Sequence, residues 1–546
     1  MIGEPSDTTA KKFAVSASKK EKRFKDPSAP DHQDLTNSPI LIHHRHKQKR
    51  ATWETWVADA LHGGISPKLL FWSVIDGIVA GFVVAGFRWV IEELFDPLLK
   101  LYDYIREGHW WVITIVVAVS ICLSFFIAAL VRSEPLSSRS GAADVEARLH
   151  SSHPSWWGWW RLLWRKFIGG VLAFAPGLFL GREGPSIQLG ATVGLGLTYF
   201  DEETKGDRRE LVAAGAAAGL AAAFTAPIAA TLFLVEGDYL NKGEFKYSLR
   251  TIAASFIASV SASIVTVQMV GWEPDFSLPR PVDLPITLYW QLIPVGIFCG
   301  ILAWIYESTL AWGVNIYDKL HIPQNWRAFV PFVMVIPIGI YLPFTLGDGS
   351  LIVLRLAHTA QYSIIALFGL VVLRLIFAQI SYGSGVPGGI FLPICALGAV
   401  FGIFCGRVFA FLNLGPHTLH YYSLFAIVCM SGLFGATVKR PLTAVVLVIE
   451  VTSYSNLMVT GVVTIIAYII ANMCDRLSSY RAMRRDEQRI ENLSKDAKDH
   501  QEETFKMTIQ DDDQCDNVNK TEQAQQDLQF SEEIRNKDSD SSLQQS

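Results

Sequence analysis

The apolar segments of this chain are of two kinds, and the short, interrupted kind constrains the fold most. Runs at 71–95, 110–131, 249–271, 289–313 and 360–380 can each cross a bilayer of about 30 Å at about 1.5 Å per residue. Others are broken by glycine or proline, at 167–181, 185–200, 211–236, 388–411, 420–436 and 441–452. Broken helices in lipid are tolerated only where they line a cavity or are buried in protein. We therefore expect an all-α membrane protein with many tilted and broken helices.

The distribution of charge divides the chain into three parts. Residues 1–50 hold 11 Lys and Arg, and residues 484–546 hold 17 Asp and Glu. The 433 residues between them, 51–483, hold only 27 basic and 28 acidic side chains, which is low for a water-facing surface. We predict a polar, basic tail at 1–50, a membrane domain at 51–483 and a polar, acidic, disordered tail at 484–546.

The amino-terminal tail predicts the orientation. Its fifty residues contain no apolar core of a signal peptide and end in "HHRHKQKR", so the positive-inside rule places it in the cytoplasm. We expect both termini to be cytoplasmic and the membrane to be the cell membrane. No cysteine or carboxylate completes a ligand set for the histidines, and the seven cysteines form no CxxC pair. We predict no metal site, no cofactor and no nucleic-acid partner.

The interrupted segments recur in the two halves of the membrane domain. "SIQLGATVGL" follows Pro185 and "ICALGAVFGI" follows Pro393, with Leu, Gly, Ala and a second Gly at identical offsets. Glutamate then follows a proline by nine residues in both "PIAATLFLVE", which ends at Glu236, and "PLTAVVLVIE", which ends at Glu450. Paired interrupted segments indicate a transporter whose site lies between two repeats. The alternative is that glycine- and alanine-rich helices resemble one another because small residues allow close packing.

The first interruption, "FLGREGPSIQLG" at 179–190, carries charge at membrane depth. Arg182 and Glu183 lie between apolar segments there, which costs several kcal/mol without a partner or a function. A helix that begins inside the membrane presents unpaired N–H groups and the positive end of its dipole, which together attract an anion. Such partial charges suit transport, because conduction needs an ion to bind and also to leave.

Three motifs resemble the CLC family of chloride channels and proton-coupled chloride exchangers. They are "GREGP" at 181–185, "GSGVPGGIFLP" at 383–393 and "AAGAAAGLAAAFTAPIAATLFLVE" at 213–236. The resemblance covers roughly residues 70–480. It implies a bundle of two inverted repeats, at about 70–271 and 285–475, and a homodimer with one pathway in each subunit. The 66 residues after Tyr480 are too few for the paired regulatory (CBS) domains of many eukaryotic relatives, so we expect none.

The resemblance makes Glu183 the gating glutamate, whose carboxylate occupies an anion site and leaves it when protonated. A carboxylate is itself an anion, so it can compete with chloride for the same N–H groups. The alternative role for Glu183 is a structural ion pair with Arg182.

The resemblance also implies the ligands of a central chloride site. The serine belongs in a GSGIP motif, and the best match is "SRSGAADVEARL", which gives Ser140. That motif is degraded, because Arg139 replaces the first glycine and two alanines replace Ile and Pro. Backbone amides would come from Gly389, Ile390 and Phe391. The tyrosine would be Tyr480, which could equally be an interfacial anchor.

Proton coupling separates the two transport functions. In exchanger relatives a second carboxylate delivers protons from the position that is Gly237 in "FLVEG" here, one residue after Glu236. Glu236 and Glu146 are the candidate proton relays instead. We expect proton-coupled chloride exchange, with a passive chloride channel as the alternative. An intramembrane enzyme is disfavoured, because the sequence contains neither an HExxH motif nor a P-loop. A membrane scaffold without transport is disfavoured because it would leave the charge of Glu183 at membrane depth unexplained.

Overall fold

The computed structural model describes the membrane domain but neither tail. The described residues are 66–142, 144–145, 158–200, 207–242, 249–272, 276, 278–279, 281, 283–359, 362–452 and 457–476. Tyr480, Glu146 and the predicted tails at 1–50 and 484–546 therefore lie outside them.

Helices make up almost all of the described residues, which contain no β-strand. We number them in chain order as α1 (Pro67–Arg106), α2 (Val112–Ser133), α3 (Trp159–Phe174), α4 (Glu183–Leu197), α5 (Arg208–Phe224), α6 (Pro227–Lys242), α7 (Leu249–Val270), α8 (Leu292–Lys319), α9 (Phe329–Tyr341), α10 (Ser350–His358), α11 (Ile364–Gly383), α12 (Phe391–Phe411), α13 (Leu419–Val438), α14 (Pro441–Thr452) and α15 (Leu457–Arg476). The all-α prediction is confirmed.

The predicted membrane spans correspond to helices. All five long apolar runs form helices that are long and apolar enough to cross a membrane. The prediction of short segments was wrong for α12 and α13, whose 21 and 20 residues are also long enough to span. Helix α15 is a further apolar helix of this length that the predicted set lacks. By length and composition, the described residues therefore contain eight candidate spans, and the protein is a multi-pass membrane protein.

The interruptions between paired helices have the same geometry in both halves. Thr225 directly follows α5, and Lys439 directly follows α13. Both residues adopt the left-handed conformation, with φ of 54° and 60°. A proline follows two residues later in each case and begins the next helix, at Pro227 and Pro441. Proline cannot donate a helical hydrogen bond and disfavours helical geometry in the residue before it, so each chain turns at this point.

The repeated glycines bring the paired helices into close contact. A Cβ on Gly194 of α4 would collide with the Leu211 carbonyl of α5, and one on Gly402 of α12, at the same offset from its proline, with the Phe425 carbonyl of α13. Small residues at these positions therefore serve packing, as the alternative reading of the repeat proposed. They serve it at equivalent places in both halves, so the repeated pattern reflects repeated structure and not composition alone.

Candidate anion-binding site

The gating candidate Glu183 is the first residue of α4, and its side chain crosses to the amino end of α12. The Leu392 amide donates a hydrogen bond of 3.2 Å to Glu183 Oε2. Within the described part of the chain, Oε1 has no hydrogen-bond partner, although the residue is 0% exposed. A buried carboxylate therefore lies on the positive end of a helix from the other repeat, held by one hydrogen bond.

A short backbone bridge joins the two interrupted segments beside this carboxylate. The Gly181 amide donates to the Gly389 carbonyl at 2.7 Å, and the Gly389 amide donates to the Gly181 carbonyl at 2.5 Å. The bridge fixes the start of α4 against the start of α12. The predicted convergence of the two repeated breaks is thus present in the structure.

Ser140 belongs to a third segment of the chain and lies close to Glu183 and Gly389. Its hydroxyl lies against Gly184, where a Cβ would overlap the serine Oγ, and the residue is 9% exposed. A Cβ on Gly389 would in turn lie 2.8 Å from the Gly184 amide nitrogen. Ser140, Glu183 and Gly389 therefore surround one small volume, despite the degraded motif around the serine.

Backbone contacts hold the Ser140 segment in place. The Arg139 amide donates to the Val386 carbonyl at 3.1 Å, and the Gly388 amide donates to the Arg139 carbonyl at 3.0 Å. The buried Lys166 ammonium donates to the carbonyl of Arg139 at 2.6 Å and also to that of Ser137 at 3.1 Å. This lysine, which the sequence analysis did not single out, orders the segment by binding its carbonyl groups.

Helix α12 supplies the backbone amides that the sequence predicted, with one difference. The first N–H groups of a helix have no intrahelical acceptor, and α12 begins at Phe391. Because the Gly389 amide already donates to Gly181 and the Leu392 amide to Glu183, an anion would find the amides of Ile390 and Phe391. Leu392 was missed by the prediction, although its place in the first turn marks it as a donor.

A tyrosine that was not predicted also lies near Ser140. The Tyr382 hydroxyl lies close to the Ser140 amide. The available signal was its position at the end of α11, directly before the "GSGVPGG" loop. The predicted tyrosine, Tyr480, lies outside the described residues.

Arg182 makes its ion pair with a carboxylate from α1. Its Nη1 lies 2.7 Å from Glu92 Oε1, which also accepts from Arg88 Nε at 2.8 Å. The Glu183 carboxylate bonds to α12 instead, and its Oε1 has no hydrogen-bond partner among the described residues. The contacts therefore weigh against an Arg182–Glu183 pair as the reason for Glu183.

The relay candidate Glu236 belongs to a different arrangement, in which two glutamates cap helices reciprocally. Glu236 of α6 accepts from the amides of Leu442 and Thr443 at 2.7 and 2.6 Å and from the Thr443 hydroxyl at 2.7 Å. Glu450 of α14 accepts from the Ile228 and Ala229 amides at 3.1 and 2.8 Å. Each repeated glutamate thus caps the amino end of the other repeat's helix.

Two cavities approach the site from the flanking residues. A cavity of about 290 Å³ is lined by Arg182 and its partner Glu92, together with Asp348 and Ser350. Another, of about 350 Å³, is lined by Arg139 and by Ser384 and Val386 of the "GSGVPGG" loop. One cavity adjoins the residue before Glu183, and the other adjoins the residue before Ser140. Each cavity therefore lies next to the segment that carries one of the two buried side chains, Glu183 and Ser140.

Comparison with known proteins identifies the family. The family model described as "Voltage gated chloride channel" matches residues 123–472. The chain belongs to this family. It is 30% identical over 423 residues to the H(+)/Cl(-) exchange transporter ClcA of Vibrio vulnificus, covering 76% of this chain and 88% of that protein. The ClcA of Yersinia pestis is also 30% identical, over 435 residues, covering 76% of this chain and 87% of the relative.

Solved structures agree with this family assignment. The crystal structure of a slow cyanobacterial Cl⁻/H⁺ antiporter matches with a TM-score of 0.68 and 27% identity, covering 75% of this chain and 95% of the antiporter. A CLC-type fluoride/proton antiporter matches with a TM-score of 0.60 and 24% identity, covering 77% and 96%, and shows the fold alone. The predicted fold, a CLC-type bundle of broken helices, is confirmed.

Proposed function

We propose that this protein exchanges chloride for protons across a membrane and that Glu183 is its gate. The observation that carries the proposal is the position of the Glu183 carboxylate. It is fully buried, lies at the amino end of α12 beside Ser140, and accepts a hydrogen bond from only one other described residue, Leu392. An anion-binding helix terminus that is occupied by a side-chain anion is suited to exchange one anion for another.

The mechanism follows from competition for the amides of α12. While Glu183 is ionised, its carboxylate occupies the position that attracts anions. Protonation removes the charge and weakens the interaction with the helix dipole and the Leu392 amide, so the side chain leaves and chloride enters. Departure of chloride and loss of the proton restore the closed position. A proton and a chloride ion therefore use the same carboxylate position at different times.

The proposed chloride ligands are neutral hydrogen-bond donors. They are the Ser140 hydroxyl, the Ile390 and Phe391 amides and the Tyr480 hydroxyl, with Gly389 contributing its amide only if its bond to Gly181 opens. Hydroxyl and amide donors bind an anion without a full positive charge, so the ion can also be released.

Two observations bear on proton coupling. The ClcA proteins and the cyanobacterial antiporter named above favour exchange, whereas Gly237 at the usual proton-delivery position favours a passive chloride channel. In the exchange mechanism, protons would reach Glu183 past Glu236 or Glu146. Because three hydrogen bonds hold the Glu236 carboxylate, water beside Gly237 would have to complete that route.

The proposal extends to the assembly and its location. We expect a homodimer in the cell membrane, with both termini cytoplasmic because of the basic segment at 43–50. Exposed apolar side chains near the reciprocal glutamates, including Ile228, Leu442 and Leu457, support a contact with a second copy. Crosslinking of cysteines introduced at Leu457 would test this contact in lipid.

The deciding experiment measures chloride and pH together in liposomes that contain the purified protein. An imposed chloride gradient is expected to drive protons uphill in the unmodified protein. Chloride flux without proton movement would reject exchange and establish the passive channel. Absence of chloride flux from a folded protein would reject both.

A further inference from the structure

The cavity of about 350 Å³ beside Ser140 has a strongly cationic lining. Three arginines line it, Arg132, Arg139 and Arg327, together with the polar side chains of Ser138, Gln324 and Ser384. No carboxylate is among the described residues that line it. Its walls therefore carry three positive charges and several hydrogen-bond donors.

Two of these guanidinium groups have no acidic partner among the described residues. Asp318 pairs with Arg327, and Glu134 pairs with Arg165, which does not line the cavity. Among the described residues, the side chains of Arg132 and Arg139 make no ion pair or hydrogen bond. Two uncompensated guanidinium groups in one cavity favour a negatively charged ligand.

The backbone conformation of Arg139 is energetically unfavourable for a residue other than glycine. Its φ is 51°, in the left-handed region that favours glycine, and the GSGIP pattern has glycine at this position. The backbone contacts of Arg139 with Val386 and Gly388 could be made by glycine as well. Only the guanidinium distinguishes arginine here, which points to a function for the charged group.

We propose that this cavity binds the phosphate group of a small soluble anion, either inorganic phosphate or a nucleotide. Guanidinium groups bind phosphate oxygens with paired hydrogen bonds, and a cavity of this volume falls within the range of small-molecule sites, about 300–1,000 Å³. A single chloride ion would leave most of it empty.

The ligand would also obstruct the transport pathway, an effect that rests on the proposed function. The cavity is walled by Ser138 and Arg139, which lead to Ser140, and by Ser384 to Val386, which lead to the amino end of α12. An anion bound there would lie against Arg139, directly before Ser140 in the chain, and against the loop that precedes α12. Phosphate on this side should therefore slow chloride movement.

Calorimetric titration of purified protein in detergent tests binding without requiring transport. Inorganic phosphate and ATP are titrated separately in chloride-free buffer at constant ionic strength. The unmodified protein should bind, and Arg132→Gln with Arg139→Gly should weaken affinity about a hundredfold, at about tenfold for each charge-assisted contact. Arg209→Gln, an exposed arginine that does not line the cavity, is the matched control and should change nothing.

The results separate the two ligand sources and can overturn the site. Tighter binding of ATP than of phosphate assigns the cavity to a nucleotide, and equal binding assigns it to free phosphate. The single variant Arg139→Lys keeps the charge without the paired donors and should bind with intermediate affinity. Absence of binding, or equal affinity in the unmodified and doubly substituted proteins, would overturn the site. If phosphate binds but leaves chloride flux unchanged in active liposomes, the obstruction is wrong while the site stands.

Discussion

Two places in this protein hold a glutamate against the amino end of a helix from the other repeat, and they differ in how firmly they hold it. Glu183 receives one hydrogen bond of 3.2 Å from Leu392, and its second oxygen has no partner among the described residues. Glu236 receives three, between 2.6 and 2.7 Å. The same electrostatic arrangement therefore produces one weakly bound carboxylate and one that is fully satisfied.

The number of donors decides which glutamate can move. Charge-assisted hydrogen bonds contribute about 1.5–3 kcal/mol each, so freeing Glu236 would cost several kcal/mol in lost contacts. Among the described residues, releasing Glu183 from α12 requires only the hydrogen bond from Leu392 to break, and protonation weakens that bond. A glutamate near a helix terminus is thus a structural cap or a gate according to how many donors surround it.

The largest expected effect follows from neutralising the weakly held glutamate. Glu183→Gln removes the group that binds and releases the proton, so uphill proton movement should be lost completely while chloride flux persists without pH dependence. Paired chloride and pH recordings in liposomes measure both.

Glu236→Gln is the matched control for this comparison. Because the Glu236 carboxylate is held as a helix cap, this variant should move protons at a rate within a few-fold of that of the unmodified protein. Equal loss of coupling in both variants would erase the proposed difference between the two sites, and loss of chloride flux in folded Glu183→Gln would reject a gating role.

The next effect concerns the stability of the reciprocal caps. Glu236→Ala leaves two amides and the Thr443 hydroxyl without their buried acceptor and should cost several kcal/mol, at about 1–3 kcal/mol for each group left unsatisfied. Glu450→Ala removes two longer contacts and should cost less, about 1 kcal/mol. Thermal unfolding in one detergent would give the order, and a larger loss for Glu450 would contradict the contact geometry.

A smaller change is expected in anion preference when the serine hydroxyl is removed. Ser140→Ala keeps the backbone, whereas Ser140→Pro would also remove the Ser140 amide hydrogen and would restrict the backbone conformation of Arg139, which is left-handed here. Loss of one neutral donor should alter the ratio of chloride to nitrate flux by a few-fold. Anion competition in liposomes measures the ratio, and an unchanged ratio would place Ser140 away from the ion.

The fold could be predicted far into its details because its strongest signals are local. Prolines 227 and 441 mark the breaks after α5 and α13, because proline is favoured at the first position of a helix and disfavours helical geometry in the residue before it. Helix length was less predictable: α12 and α13 contain internal glycines yet continue as single helices. Tight packing against neighbours, as at Gly402, overrides the weak helix propensity of glycine there.

The site was predictable in its motifs but not in its hydrogen bonds. The sequence pointed to Glu183 and to the amino end of α12, because a charge in an apolar segment and a broken helix are visible without a structure. That the Gly389 amide is occupied by Gly181, or that Glu236 caps α14, depends on contacts between residues more than 200 positions apart. Periodicity and composition carry no information on such pairs.

The smallest expected effect comes from the carboxylate that holds Arg182. Glu92 accepts from both Arg182 and Arg88, and it is partly exposed, which limits its electrostatic influence. Glu92→Gln should leave the positive charge of Arg182 less compensated beside Glu183 and so favour the ionised gate. More acid is then needed to open it, and the pH profile of chloride flux should move to lower pH by less than about 1 unit, equivalent to about 1.4 kcal/mol. Flux measured across a pH series checks this, with Glu93→Gln on the same helix as the control. An unchanged profile would mean that the charge balance around Arg182 does not act on the gate, and a shift to higher pH would contradict the expected direction.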